Sequence, residues 1–365
     1  MARPSAVFLI NLIQDVNILR PMIVMASRDF EFAVTLLVAR NFLARDVLGI
    51  WHNELNCIAS ATEASIEYFD DPWGARRQLK GDGLLFSASE SDLPEHAVAH
   101  EVFQLAPASF TRITLQHGYE CVGFRHSDAH VRAHGQTASF AADILCSWTN
   151  PDRLPSLARS QRSKIHVTGP SLVLQQRAAP SESGNRLRGL VCENLHSVRF
   201  ADAHEARSDF VKMFTAFSDI LDNKGGLVSL RPHPGGQYFV KTRTPLSSNV
   251  SVENAPTYRL PMNGFAYGIS APSSVIIEML LAQIPTAVWR DRRGEIDADA
   301  YAGLTVVSSL DDWVGFASAA TTDAKPFLAR QAEFLAATGM PLAPDDVYGR
   351  FAQIFQAAGR RAQAG

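Results

Sequence analysis

The sequence predicts an α/β protein made of two Rossmann-like, doubly wound domains that face each other across a cleft. Three observations predict it. Short apolar runs alternate with longer helical stretches through both halves, the pattern of βαβ units and a mostly parallel sheet. A polar break rich in Pro, Ser and Gly, QQRAAPSESGNRLR from Gln175 to Arg188, separates two apolar regions and reads as an interdomain linker. A chain of 365 residues also exceeds one ordinary core and fits two.

Taken in order, the first strand falls within Ala6–Ile13. The run that contains it is apolar but reaches Gln14 and Asp15 too soon for a secretory leader. Further strands are predicted at Phe32–Val38, Ala64–Phe69, Gly83–Ser87, Arg112–Gln116, Asp143–Trp148 and Ile165–Thr168, with helices at Glu95–Leu105 and Pro151–Ser163 among the connections. Residues 1–175 then form an N-terminal, acceptor-side domain. A second series follows, with strands at Gly189–Cys192, Leu227–Leu230, Val250–Glu253, Phe265–Ile269, Thr286–Trp289 and Leu304–Val307. Its helices are Ala203–Leu221, opened by a capping box of Asp202 and Glu205, then Val275–Gln283 and several past Asp311. This makes 186–345 the C-terminal, nucleotide-binding domain. The tail, 346–365, carries a last helix from Asp346 to about Ala358 that crosses back to brace the first domain. Two such domains opposed at the carboxyl ends of their strands are the GT-B arrangement, with nucleotide on one side and acceptor on the other.

Bulk properties narrow the function. At 46% hydrophobic and 19% charged the chain is globular, and a net charge of −3 argues against a broad nucleic-acid footprint. Cys57, Cys121, Cys146 and Cys192 show no C-x-x-C spacing, so zinc and redox motifs are not expected; they read as small buried residues of a reducing compartment. No run reaches the roughly 20 apolar residues that span a bilayer. The expected location is the cytoplasm, with peripheral association at the inner face of the cytoplasmic membrane left open.

The chemistry-bearing residues cluster at predicted strand ends. Arg231-Pro232-His233-Pro234-Gly235-Gly236 leaves a buried-strand pattern, and its prolines stiffen a loop that presents an imidazole. Roughly forty residues on, Ser270-Ala271-Pro272-Ser273-Ser274 opens a helix, offering hydroxyls, free N–H groups and a helix dipole to an anionic phosphate. Glu278, one turn after Ser274, shares its face and is placed to bind ribose hydroxyls. In the first half, Gln116, His117, Gly118 and Glu120 follow an apolar strand, where an α/β domain puts acceptor or donor-sugar contacts; a core histidine satisfied by backbone is the alternative for His117. The loop holding Arg125, His126, His130, Arg132 and His134 either meets an anionic sugar or lipid-linked acceptor or is simply solvated. In Cys192–Asp202, Glu193 ends a strand and points a carboxylate toward the cleft, whereas Asp202 begins a helix, where capping alone accounts for it. Either carboxylate can serve as nucleophile or base. P-loop, Rossmann-dehydrogenase and nucleophile-elbow signatures are missing, and no D-x-D follows a strand.

At these segments the chain resembles bacterial GT-B transferases that use CMP-sugars and carry a His-Pro motif with a downstream serine motif. The runs LQHGYECVGF, ADILCSW, SQRSK, VTGPS and ENLHSVRF resemble the retaining β-Kdo glycosyltransferases of lipopolysaccharide O-antigen and capsule assembly, a likeness extending from about residue 110 to 290. The resemblance implies that His233, Ser273 and Ser274 hold CMP; Arg231, Pro234 and Glu278 of the same two segments are expected beside them, and His117, from its strand-end position, at the reacting centre. From their positions, Gln116, Gly118, Glu120 and Arg199 are expected to face the sugars. A carboxylate, matched to Asp202 with Glu193 second, attacks the anomeric carbon of Kdo. CMP-Kdo is then the donor substrate, a glycan the acceptor, and no metal or other cofactor is expected, because the helix N-terminus and His233 neutralise the leaving phosphate. The acidic motif of many sialyltransferases is absent, with Cys192-Glu193-Asn194 in its place. The rivals are transfer from CDP-glycerol, another CMP-sugar (sialyl) transferase, and a noncatalytic partner subunit.

Overall fold

A computed structural model of the chain describes residues 3–46, 48–175, 188–201 and 203–364. Most of the expected linker, 176–187, and the candidate nucleophile Asp202 lie outside the described residues. The described residues fall into two compact units. One comprises 1–126, 134–175 and 340–365, and the other 127–133 and 176–339.

In the first unit the strands are β1 (Ser5–Ile10), β2 (Ala33–Ala39), β3 (Ser65–Phe69), β4 (Gly83–Ser87), β5 (Phe110–Leu115), β6 (Ile144–Ser147) and β7 (Ile165–Val167). They form a parallel sheet in the order β3-β2-β1-β4-β5-β6-β7, with Leu9 opposite Leu37 in the central register. Helices α1 (Ile13–Arg28), α2 (Arg40–Arg45), α3 (Ile50–Thr62), α4 (Pro72–Gln78) and α5 (Ala97–Leu105) make the crossovers, and α6 (Asp128–His134), which follows β5 in the chain, groups with the second unit through Ala133. In the second unit β8 (Arg188–Cys192), β9 (Leu227–Arg231), β10 (Val250–Val252), β11 (Tyr267–Ser270), β12 (Thr286–Trp289) and β13 (Thr305–Val307) form a parallel sheet in the order β10-β9-β8-β11-β12-β13. Its helices are α7 (His204–Asp222), α8 (Tyr238–Thr242), α9 (Val275–Leu281), α10 (Leu310–Thr322) and α11 (Lys325–Thr338). The last helix, α12 (Pro344–Ala364), belongs to the first unit.

Both orders place the first and fourth strands of a series side by side, so the connections run outward in opposite directions from that point. Such a switch point leaves a crevice at the carboxyl ends of the strands. Parallel strands covered on both faces must be apolar along their length, and β8 and β9 meet this with Leu190, Val191, Val228 and Leu230 fully buried. The second core is built on Trp289, which packs edge-to-face on Phe210 at 5.0 Å, with Trp313 against both Phe210 and Phe217.

Several expectations change. Pro151–Ser163 is not one helix but two short 3₁₀ segments, Pro151–Arg153 and Arg159–Lys164, because Pro155 cannot continue a helix begun at Pro151. Residues 127–133 group with the second unit and not with the rest of 1–175. Helix α7 starts after Ala203, whose side chain makes no cap, and Glu205 pairs with Arg293. Cys57 is exposed, whereas the other three cysteines are buried.

Helix α12 is held by Phe355, whose ring stacks on Phe30 at 5.0 Å and meets Phe86 at 5.4 Å and Phe32 at 5.8 Å. Replacing Phe355 by Ala removes this aromatic knot from a closed site. A loss of about 3–5 kcal/mol is expected in urea unfolding of the full chain. A loss under about 1 kcal/mol would mean that α12 contributes little to the first unit.

Candidate functional site

In the second unit the exits of β8, β9 and β11 lie next to one another at the switch point, and hydrogen bonds join them. Glu193, the first residue after β8, is 2% exposed. Its Oε1 accepts from the backbone N–H of His233 at 3.3 Å and of Tyr238 at 2.8 Å, and its Oε2 accepts from Leu195 at 3.1 Å. The carboxylate therefore does not project into open space, as the strand-end pattern suggested; it holds the His-Pro loop to β8. Burial raises its pKa, and the three N–H donors oppose that rise. Asn194 continues the link on the other side, its Nδ2 donating to the Pro272 carbonyl at 2.8 Å.

The His-Pro loop is rigid for reasons visible in the sequence: Pro232 and Pro234 fix φ, and the Gly235 N–H donates to His233 Nδ1 at 3.1 Å. That bond needs a lone pair on Nδ1, so the neutral ring carries its proton on Nε2. The His196 ring lies against His233 with centroids 4.0 Å apart and planes at 35°. His196 lies within the ENLHSVRF run, and nothing in a linear reading places it against a loop 37 positions away. A Cβ on Gly236 would stand 2.6 Å from His196 Cγ, so glycine is required there.

Arg231 is buried, donating to the Ala255 carbonyl at 2.5 Å. Burial lowers its pKa, and Glu278 is among the charges that oppose this. Glu278 is half-buried, and burial raises its pKa against a hydrogen bond from Thr257 and the charge of Arg231. Pro234, Ser273 and Ser274 are partly exposed. Ser274 stands at the N-cap of α9, where its side chain makes no capping hydrogen bond. The N–H groups of Ile276 and Ile277 turn back to the carbonyls of Ser273 and Ser274, leaving fewer open donors in the first turn than expected.

Also within this unit, a cavity of about 300 Å³ is lined by Arg132, Arg199, Glu295, Val198, Ala201 and Ala203. Arg199 is 7% exposed and its Nε donates to the Asp297 carbonyl at 3.1 Å. Buried Asp291 fixes the loop that carries Glu295 by accepting the N–H groups of Arg293, Glu295 and Ile296.

The first unit carries a different constellation. Gln116 is buried and fully engaged: Nε2 donates to the Gly118 carbonyl at 2.8 Å and Oε1 accepts from Trp148 N–H at 2.9 Å. It braces the β5–β6 exits. Gly118 is buried and Glu120 half-buried. His117 is half-buried, and burial pushes its pKa down to about 4 against a backbone hydrogen bond at Ala88. Its ring stands edge-on to His96 at 5.7 Å; His96 is buried to a pKa of about 3 and shares a 2.7 Å hydrogen bond with Ser91 Oγ. Nearby Glu90, also buried, pairs with His100 Nδ1 at 2.5 Å. No helix is long and apolar enough to cross a membrane, and no metal-ligating cluster occurs, among the described residues.

No protein-family model and no curated protein sequence matches the chain. Solved structures do. UDP-GlcNAc 2-epimerase from Neisseria meningitidis bound to UDP-GlcNAc aligns over 98% of this chain and 100% of its own, with TM-score 0.60 and 12% identity. The calicheamicin glycosyltransferase CalG4 aligns over 96% and 99%, with TM-score 0.51 and 11% identity. A glycosyltransferase from Rickettsia africae aligns over 98% and 99%, with TM-score 0.52 and 9% identity. At these identities the likeness is one of fold, and the fold is GT-B.

The buried imidazoles give the chain a pH dependence. Unfolded, each titrates near 6.5; folded, His96 and His117 titrate near 3 and 4. Between those values the unfolded state binds more protons, so stability rises with pH and is lost as pH falls below about 6.5. Urea midpoints should drop from pH 7 toward pH 5, and His96→Gln should flatten that slope by up to about 1.4 kcal/mol per pH unit. An unaltered slope in the variant would exclude His96 as a source.

Proposed function

We propose that the protein is a glycosyltransferase that moves Kdo from CMP-Kdo to a glycan acceptor, lipid-linked or free, with retention of configuration, in surface-polysaccharide assembly. One observation carries the reading: His233, the Ser273–Ser274 turn and the Arg231–Glu278 neighbourhood converge on the switch point of one parallel sheet, in the unit that also holds a cavity with two arginines. Imidazole and hydroxyl groups suit the single phosphate of a CMP-sugar, and arginines suit a sugar that carries its own carboxylate. The His-Pro and serine motifs, with the ENLHSVRF run, support the donor class.

In this reading a carboxylate displaces CMP: its oxygen bonds to the anomeric carbon as the carbon–oxygen bond to phosphate breaks and the electron pair leaves with CMP. The acceptor hydroxyl then displaces the carboxylate and gives its proton to a base, and two inversions restore the configuration. Asp202 is the proposed nucleophile. Glu193, bound by three amide groups, is better suited to hold His233 in place. His117, neutral near pH 7, is the proposed base on the acceptor side. With the phosphate charge met by His233 and neighbouring N–H groups, no metal is required.

Incubation with CMP-Kdo, CDP-glycerol and UDP-GlcNAc tests the donor. Release of CMP from CMP-Kdo, undiminished by EDTA, is expected. Epimerised UDP-GlcNAc, turnover of CDP-glycerol alone, or activity lost to EDTA and regained with Mg²⁺ would each count against the proposal. For the nucleophile, mass spectrometry of enzyme quenched with donor should find a Kdo adduct on Asp202, absent in Asp202→Asn. An adduct on Glu193 transfers the role, and Glu193→Gln should then abolish turnover.

A further inference from the structure

We propose that His196 is a phosphate-binding residue: His196 and His233 act as one stacked imidazole pair that takes up a proton when the phosphodiester of a nucleotide arrives. The inference rests on the nucleotide site proposed above and adds to it a residue that neither motif contains.

The loop is shaped around the His196 ring. Gly236 must lack a side chain to admit it, and a Cβ on Gly235 would come within 3.9 Å of His196 Nε2 and 3.7 Å of His233 Nδ1. His233-Pro234-Gly235-Gly236 thus wraps two imidazoles that come from the exits of adjacent parallel strands, β8 and β9. Proline stiffness and the Glu193 carboxylate, which accepts the His233 N–H, fix one ring; the stack at 4.0 Å then positions the other.

The charges facing the pair explain why it is poised for an anion. Lys241 on α8 and Arg207 on α7 act on His196, and the Arg207 guanidinium lies over the Tyr238 ring at 5.5 Å. Glu193, on the β8 side, is the acidic group, and its oxygens are already taken by three N–H donors. His196 keeps an exposed edge, yet desolvation by the surrounding loop first, then these cations, push its pKa down to about 4, so this ring is neutral at rest near pH 7. Two rings this close cannot both become cationic without a counter-charge. A phosphodiester brings one fixed negative charge and reverses that balance, so binding and protonation are linked. His233 keeps its Nε2–H as a donor throughout, because Nδ1 is occupied by Gly235.

The competing account is that His196 is only an aromatic spacer under the loop. Calorimetric titration of the full chain separates the two. The probe is the methyl phosphodiester of cytidine monophosphate, which has no phosphate titration near neutrality, and the measurement is made in two buffers of different ionisation enthalpy near pH 6.5. Wild type should take up on the order of one-half to one proton per nucleotide, and its affinity should weaken by up to about tenfold per unit of rising pH. His196→Phe keeps a stacked ring without a titrating nitrogen. It should lose the proton uptake and bind about tenfold or more weakly; His196→Gln, smaller and polar, should do the same and decides the matter if the Phe variant does not fold. Uptake and affinity unchanged in a folded variant would make His196 a spacer and overturn the inference while leaving the nucleotide site intact. Preference for the uridine diester with the same uptake would overturn the CMP reading and leave His196 in its role. No binding of either diester by wild type would reject both.

Discussion

The second unit depends on one buried carboxylate. Glu193 lies where β8 ends, and without it three backbone N–H groups, from Leu195, His233 and Tyr238, would be buried with no acceptor. Hydrogen bonds to a charged acceptor contribute about 1.5–3 kcal/mol each, and an orphaned donor costs about 1–3 kcal/mol. The β9 exit can therefore turn sharply through two prolines and two glycines and still return to α8 at a fixed place. The position of His233, the room for His196 and the start of α8 all follow from that turn. Desolvation raises the pKa of Glu193, and the N–H donors that oppose this are the same ones that it organises.

The scaffold beneath explains how such a turn is tolerated. β8 and β9 are paired along their length, from Arg188 opposite Leu227 to Cys192 opposite Arg231, and their inner residues have no solvent exposure. A sheet so closed cannot yield, so conformational variety is confined to the strand exits. The same device recurs after β12, where buried Asp291 gathers three N–H groups into a compact loop carrying Glu295. It recurs again where Asn194 bridges to the Pro272 carbonyl. Short polar side chains at strand ends, satisfied by backbone, convert a generic Rossmann edge into a fixed surface.

Much of this was legible in the sequence. Strand positions followed from apolar runs bounded by turn residues, and Gly83–Ser87 and Thr286–Trp289 fall where the pattern put them. The His-Pro and serine segments were readable because proline and glycine punctuate local structure whatever the tertiary context. What was not legible is whatever depends on partners distant in sequence. Glu193 read as a projecting acid because its three donors lie up to 45 positions away. Gln116 read as a sugar contact, whereas its amide is engaged by Gly118 and Trp148. Pro151–Ser163 read as a helix between two strands, although the second proline of the segment already breaks it. Glu90, His96 and His100 gave no signal, since a serine-rich loop and an ordinary helix start do not reveal a buried acid–imidazole pair.

The two units share a topology but differ in what fills the switch point, and that difference argues for which one holds an anionic ligand. In the first unit the crevice between β1 and β4 is occupied by Asp15, which is fully buried and accepts from Asn11 N–H, Leu12 N–H and Ser89 Oγ–H. Burial pushes its pKa up to about 6, so near neutrality the spot holds a negative charge and has no access to solvent. A phosphate would meet like charge there. In the second unit the corresponding strands, β8 and β11, end in Glu193–Asn194 and in the Ser273–Ser274 turn. There the acid is turned inward and hydrogen-bonded by backbone N–H groups, and partly exposed serines and imidazoles remain at the surface. The α/β pattern alone gives both sheets an equal chance of carrying the proposed nucleotide. Both units bury a carboxylate at that point, and what differs is its neighbourhood: the loop that Glu193 holds carries His233, and the Asn194 bridge leads to the partly exposed serines.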